Sequence, residues 1–220
     1  MHLRPSGIPH EQRAAIFEWV EARNFVTGQL ARRFFPGGSA ETSRKKASRW
    51  LAKRRKRKRI RVRGAVYLNA VGRPHVVYGR RRKHAELEHE VWVTEAELQL
   101  GVEFTRDVPV GETVADGSFV KDGSRFWVEV DNHTMRGKQM EEKWSRYGEV
   151  DGYILVICHT MYRLRKLMRG VKSVKPPEPT DPEKPVHPVK AAALFTLFRW
   201  LDSPTLKEPW IDCERNRTRV

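Results

Sequence analysis

Two strand-length segments, residues 114–121 and 125–131, meet at Lys121-Asp122-Gly123-Ser124. The Asp-Gly pair supports a tight hairpin, and a hairpin fixes which residues share a face. On the second segment Phe126 and Val128 point one way, while Trp127, Glu129 and Asp131 point the other. Asp116 opens the partner segment, and neighbouring strands lie only ~5 Å apart, so three carboxylates gather at one edge. Oxygen ligands of this kind suit Mg²⁺ or Mn²⁺. Such an ion polarises a phosphodiester and lowers the pKa of a bound water, and a nearby lysine stabilises charge building on phosphorus. The next helix offers Lys143. Isolated acids on a hairpin are also commonly just solvated.

The rest of the chain is crowded with the opposite charge. Lys and Arg outnumber Asp and Glu by 43 to 27 over 220 residues, a formal net charge of +16, and the isoelectric point is near 10.2. That excess favours a polyanionic partner, nucleic acid first and a membrane surface second. No stretch approaches the roughly 20 apolar residues of a membrane span. The polar segment 10–13 stands where a signal peptide needs an apolar core. A cytoplasmic protein with no membrane partner is therefore expected. Cys158 and Cys213 lie far apart, which suggests neither a disulfide framework nor a four-ligand zinc site.

The amino-terminal third reads as three helices. In residues 9–24, Ile16, Trp19 and Val20 recur at helical spacing. A second, short helix starts from Thr27 as N-cap, carries Leu30, Ala31, Phe34 and Phe35, and stops at Pro36-Gly37-Gly38. Ser39 caps a third that buries Ala47, Trp50 and Leu51 and leaves Ser43, Arg44, Lys45, Ser48 and Arg49 outward, where they can reach phosphates and base edges. The run Lys53, Arg54, Arg55, Lys56, Arg57, Lys58, Arg59, Ile60, Arg61, Val62, Arg63 follows, with nine cations in eleven positions. Val66, Tyr67 and Leu68, a turn at Gly72-Arg73-Pro74, and His75-Val76-Val77-Tyr78 then spell a β-hairpin. Three helices and a hairpin predict a winged helix over residues 1–79. Its third helix would enter the major groove of double-stranded DNA and the basic hairpin would lie on the backbone. The basic run also fits a solvated face or a localisation signal, and winged helices also dock proteins.

Residues 80–173 change in composition. A helix over 83–100 carries Leu87, Val91 and Leu98 on one stripe with Glu88, Glu90, Glu95 and Glu97 around it. Strands at 102–104, 114–121 and 125–131, a helix over 135–147, a buried strand over 153–158 and a helix over 160–169 complete the order αβββαβα. Residues 174–190 form a Pro-rich linker. In the tail, 191–220, an apolar helix over 191–201 carries Leu194, Phe195, Leu197, Phe198 and Trp200. It is expected to dock on the core or to make a partner or homodimer contact through these aromatics.

Ala115-Asp116-Gly117, then Trp127-Val128-Glu129-Val130-Asp131-Asn132-His133-Thr134, then Lys143 and Tyr147, resemble the replication-relaxation family of plasmid and mobile-element proteins. His89-Glu90 resembles that family's pattern too, and the resemblance covers roughly residues 9–168. It implies an α/β (α+β) protein in which an amino-terminal winged helix precedes a PD-(D/E)XK-like core. It also implies a DNA-binding, nucleoid- or plasmid-associated role in replication, copy-number control or maintenance of a mobile element, with a replication protein as a partner for the carboxyl-terminal aromatic helix. Asp116, Glu129 and Asp131 would hold the divalent metal, with Lys143 completing the catalytic set.

Asp131 stands where the parent nuclease signature has its lysine. Lys143, one helix later, is the replacement and Lys138 the alternative; Gln139, Lys143 and Tyr147 recur at i, i+4 and i+8 as one polar stripe. If Lys143 only pairs with Glu129 or Asp131, the site is a relic that binds DNA without cutting it. An endodeoxyribonuclease and a non-catalytic regulator or replication accessory factor therefore both stand, with RNA binding third. His89, His133 and His159 match no zinc spacing, and His133 is the best placed to support the site by a hydrogen bond.

Overall fold

The computed structural model describes residues 8–57, 59–67, 74–79, 84–111, 113–131, 138–147, 150–158, 161–173, 194–197 and 210–212. Among them lie six helices and two sheets, a mixed α/β protein. The chain divides into two compact units, Met1–Leu98 and Gln99–Val220. No helix among the described residues is long and apolar enough to cross a membrane.

The first unit opens with α1 (His10–Ala22), β1 (Asn24–Val26), α2 (Thr27–Phe34) and α3 (Ala40–Lys56). Ile16, Phe25, Leu30, Ala47 and Leu51 form its core, joined by Ile60. The Ser39 cap forms as expected, its Oγ accepting the Thr42 N–H at 3.2 Å. The α2 cap does not: Thr27 is the first helical residue, and the Gln29 side chain closes the end by accepting the Val26 N–H at 3.0 Å. Ser43, expected to face outward, is buried on α3 beside the core positions. The hairpin strands are β2 (Val62–Val66) and β3 (His75–Gly79), which pair antiparallel with a bulge between Val62 and Gly64. β1 adds to β3 and completes a three-stranded sheet in the order β1-β3-β2. Gly72 and Arg73 of the expected turn, and Lys58, lie outside the described residues.

Helix α4 (His84–Leu100), expected to open the second domain, lies in the first unit through Leu98. Thr94 Oγ1 donates to the Asn24 carbonyl at 2.7 Å, and Gln29 Nε2 donates to the Val91 carbonyl at 2.9 Å and to Glu95 at 3.1 Å. Arg23 grips Glu97 through two hydrogen bonds of 2.8 and 2.7 Å, and Arg32 bonds to Glu95. Glu95 and Glu97 are thus not solvated acids around a stripe. They are 2% and 4% exposed, which a carboxylate tolerates only when paired.

The second unit runs β4 (Thr105–Val110), β5 (Thr113–Lys121), β6 (Ser124–Asp131), α5 (Lys138–Arg146), β7 (Tyr153–Cys158) and α6 (Met161–Ser173). β4, β5 and β6 are antiparallel neighbours and β7 pairs parallel to β6. The hairpin turn has the expected form, with Lys121 paired to Ser124 and Asp122 and Gly123 at φ 50° and 74°. Both central residues are left-handed, which suits the right-handed twist of the flanking strands. The first strand starts at Thr105, after the expected 102–104, and Phe104 is buried against Phe119 with ring centroids 5.7 Å apart. That stack continues through Phe126 to Tyr153. A separate core gathers Trp127, Trp144, Tyr147, Val156, Leu164 and Leu167 from β6, β7, α5 and α6.

The expected helix over 191–201 is overturned at its centre. Leu194–Leu197 is a strand, β8, parallel to β7, and Trp210–Asp212, β9, pairs antiparallel to it. A short apolar run that forms a strand has the same composition as a segment of apolar helix, so periodicity does not separate them. The partner contact expected of an aromatic helix loses that helix. Residues 174–190 and Cys213 lie outside the described residues, and Cys158 is buried and in no disulfide among the described residues.

Candidate functional site

Two groups of residues were expected to carry function, one in each unit. In the second unit the β5–β6 register runs from Lys121↔Ser124 to Gly117↔Val128. Just beyond it the Asp116 carboxylate accepts the Val130 N–H at 2.7 Å, a side chain doing what a strand carbonyl would do. On the other side of Asp116, Arg106 pairs with Gly117 and Val108 with Ala115, while Asp107 between them takes a φ of 51°. A non-glycine residue held there stores on the order of 1 kcal/mol or more, so β4 is distorted opposite Asp116.

Glu129, on β6, is 4% exposed and receives two donors from α5 and its end: Lys143 Nζ at 2.5 Å and the Tyr147 hydroxyl. The stripe read from the sequence thus places Lys143 and Tyr147 on Glu129, while Gln139 is exposed. Lys138, the alternative lysine, is exposed beside Glu142 at 4.0 Å. Asp131 is committed elsewhere: Arg163 of α6 binds both its carboxylate oxygens at 2.7 Å. Among the described residues no group of three or more His, Cys, Asp or Glu is placed to hold a metal ion. The expected trio therefore separates into Asp116 with Glu129, and Asp131 with Arg163. Asn132, His133, Thr134 and His159 lie outside the described residues.

Burial pushes the Glu129 carboxyl up to about 7, and the negative charge of Asp116 adds to the rise; Lys143 and Tyr147 only partly offset them. Burial pulls the Lys143 ammonium down, but Glu129 and Asp116 outweigh it and hold the group above its usual range. Burial and the Glu129 carboxylate push the Tyr147 phenol far above its ordinary value, so it stays a hydrogen-bond donor. The hydrogen bonds to Asp131 raise Arg163 against the opposing pull of burial. Perturbation this concentrated, with two carboxylates sensing each other, is a property of functional clusters and also of structural ion-pair networks.

In the first unit Arg44, Lys45, Arg49, Lys53, Arg55, Lys56 and Arg57 are exposed along α3 and its end. Lys45 pairs with Glu41 one turn earlier at 2.6 Å, a solvent-exposed bridge that a polyanion can replace. Arg54 differs from its neighbours. It lies 4.6 Å over the Trp50 ring and 5.8 Å from Phe17, so its guanidinium covers the core. Burial, then Arg57, lowers its pKa. Arg59 and Arg61 are exposed, and Arg63 is half-buried with its Nε donating to the Gly79 carbonyl at 2.6 Å.

Sequence reasoning missed Arg163 and the partners of α4. Arg163 sits between the apolar positions Met161 and Leu164 and carries no local sign of pointing inward. Comparison with known proteins finds no matching family model, no similar curated protein and no similar solved structure.

Proposed function

We propose that the chain is a winged-helix protein that binds double-stranded DNA, with a PD-(D/E)XK-like second unit, acting in replication or maintenance of a plasmid or mobile element. The observation that carries this reading is α3. The helix is capped by Ser39, anchored by Ala47, Trp50 and Leu51, and exposes Arg44, Lys45 and Arg49 on its other side before the cations at its end. An antiparallel strand pair follows it, as a wing would. Phosphate-directed cations give affinity that falls steeply with salt. Substituting Arg44 and Arg49 by alanine should therefore weaken duplex binding about tenfold or more and flatten its salt dependence. Anisotropy titrations at several salt concentrations check this, with single-stranded RNA as competitor. Unchanged affinity in the double variant would sink the reading.

The second reading, a divalent-metal-dependent endodeoxyribonuclease, rests on the coupling of Asp116 and Glu129. These two would hold Mg²⁺ or Mn²⁺; Asp131, bound on both oxygens by Arg163, does not fit the donor set. The ion supplies polarisation of a phosphodiester and a more acidic water when bound. Lys143 brings a cation to the same carboxylates, and Tyr147 fixes the orientation of Glu129. Against cutting, Lys143 is already paired with Glu129, the arrangement expected of a relic that serves an accessory role. Supercoiled plasmid incubated with either metal separates the two. Nicking lost in Glu129→Ala and retained in Asp131→Asn supports the two-carboxylate site, whereas absence of nicking with both metals leaves the non-catalytic regulator.

A further inference from the structure

A concavity of about 220 Å³ in the first unit is lined by Val20, Glu21, Arg59, Ile60, Arg61, Arg63 and Gly79. Three of these residues are arginines: Arg59 and Arg61 in the segment between α3 and β2, and Arg63 on β2. All three line the same concavity, and the side chains of Arg59 and Arg61 are exposed. Their backbone is fixed. The Arg59 N–H donates to the Arg54 carbonyl at 3.0 Å, and the Gly79 N–H donates to the Arg61 carbonyl at 3.3 Å. The Gly79 carbonyl in turn accepts Arg63 Nε at 2.6 Å.

Gly79 thus holds two of the three arginines, and no other residue can take its place. Its φ is 127°, and an added Cβ would come within 2.0 Å of the Arg23 carbonyl oxygen. Glu21 lines the same concavity, yet among the described residues no ion pair joins it to Arg59, Arg61 or Arg63. The forked donors of arginines that line one concavity match tetrahedral oxyanions.

The size of the concavity narrows the ligand. It is smaller than the ~300–1,000 Å³ of sites for drug-sized molecules, and a duplex meets such a hollow only by its outer phosphates. A single phosphate with part of its sugar fits inside. We propose that this arginine-lined pocket binds a phosphate monoester, carried either on the end of a nucleic-acid strand or on a free nucleotide. The residues of the site are distinct from Arg44, Lys45 and Arg49 of α3, so the two sets can be varied independently.

The experiment compares short single-stranded oligonucleotides that differ only in bearing a 5′-phosphate, a 3′-phosphate or hydroxyls at both ends. They carry an internal fluorophore and are titrated with the full chain at one fixed low salt concentration. The phosphorylated end should bind about tenfold tighter than the hydroxyl end, the gain of charge-assisted bonds to one more phosphate dianion. Arg59→Gln with Arg61→Gln should erase that preference, whereas Arg44→Gln with Arg49→Gln should weaken all three oligonucleotides alike and keep it.

Displacement by a nucleoside monophosphate at concentrations that leave the hydroxyl oligonucleotide bound identifies a free nucleotide as the source. A preference without such displacement identifies a strand end. Equal affinity for all three oligonucleotides, with no displacement by the monophosphate, overturns the proposal, as does a preference that survives the Arg59/Arg61 double variant. If that double variant does not fold, Arg61→Lys alone decides. It keeps the charge without the fork, and an undiminished preference in it counts against the pocket.

Discussion

Glu129 binds its proton far more tightly in the folded chain than a carboxyl does in water. The native state keeps that proton where the unfolded chain has lost it, so the resulting stability is fully present at low pH. It is lost as pH rises from the unfolded value of 4.5 through the folded value of about 7. A shift of that size corresponds to about 3 kcal/mol. Urea unfolding measured from pH 5 to pH 8 should therefore show a decline that Glu129→Gln removes. An identical slope in the variant would mean that Glu129 titrates normally. How much of this site was legible follows from the same residues. The two strands and the hairpin turn placed Asp116 and Glu129 as neighbours, and helical spacing put Lys143 and Tyr147 on one stripe. The fate of Asp131 was not legible, because its partner Arg163 lies 32 residues onward in a helix whose pattern shows only apolar spacing.

Elements differ in how locally they are specified. The β5–β6 hairpin depends on two residues of the turn, and Gly123 at φ 74° is one of them. Gly123→Val should cost about 1–2 kcal/mol, since a β-branched side chain is poorly tolerated in the left-handed region. Its Cβ would meet nothing within 4 Å, so any loss comes from the backbone alone. A thermal melt of the variant checks this, and an unshifted midpoint would show that the turn relaxes freely. β8 marks the opposite case. Leu194-Phe195-Thr196-Leu197 has no alternation to betray a strand, and it becomes one only because β7 offers a parallel edge. Strand β1 was invisible for a simpler reason, since three residues are too few for any period.

On the scale of the whole molecule, the first unit needs more chain than its helices and hairpin. Arg23, Gln29 and Arg32 point polar groups at α4, and without that helix they lose Glu97, Glu95 and the Val91 carbonyl. Breaking a pair buried on both sides, as Arg23–Glu97 is, costs roughly 3–5 kcal/mol, a large part of a small domain's stability; the exposed Arg32 adds less. A fragment of residues 1–98 should unfold cooperatively, while residues 1–79 alone should not. Circular dichroism melts of the two decide, and a cooperative transition in the shorter one would show α4 to be dispensable. This was not readable beforehand because acids on a helix look solvated until their arginines, some 70 residues upstream, are placed beside them.

The parallel pairing of β7 with β8 also sets an order of events during synthesis. Tyr153–Cys158 leaves the ribosome well before Leu194–Leu197, at roughly 5–20 residues per second. For that interval the nascent sheet carries an open apolar margin, a template for pairing with another chain. Crowded translation would therefore favour intermolecular strand exchange at this margin, and a holdase that shields it would raise the yield of native protein.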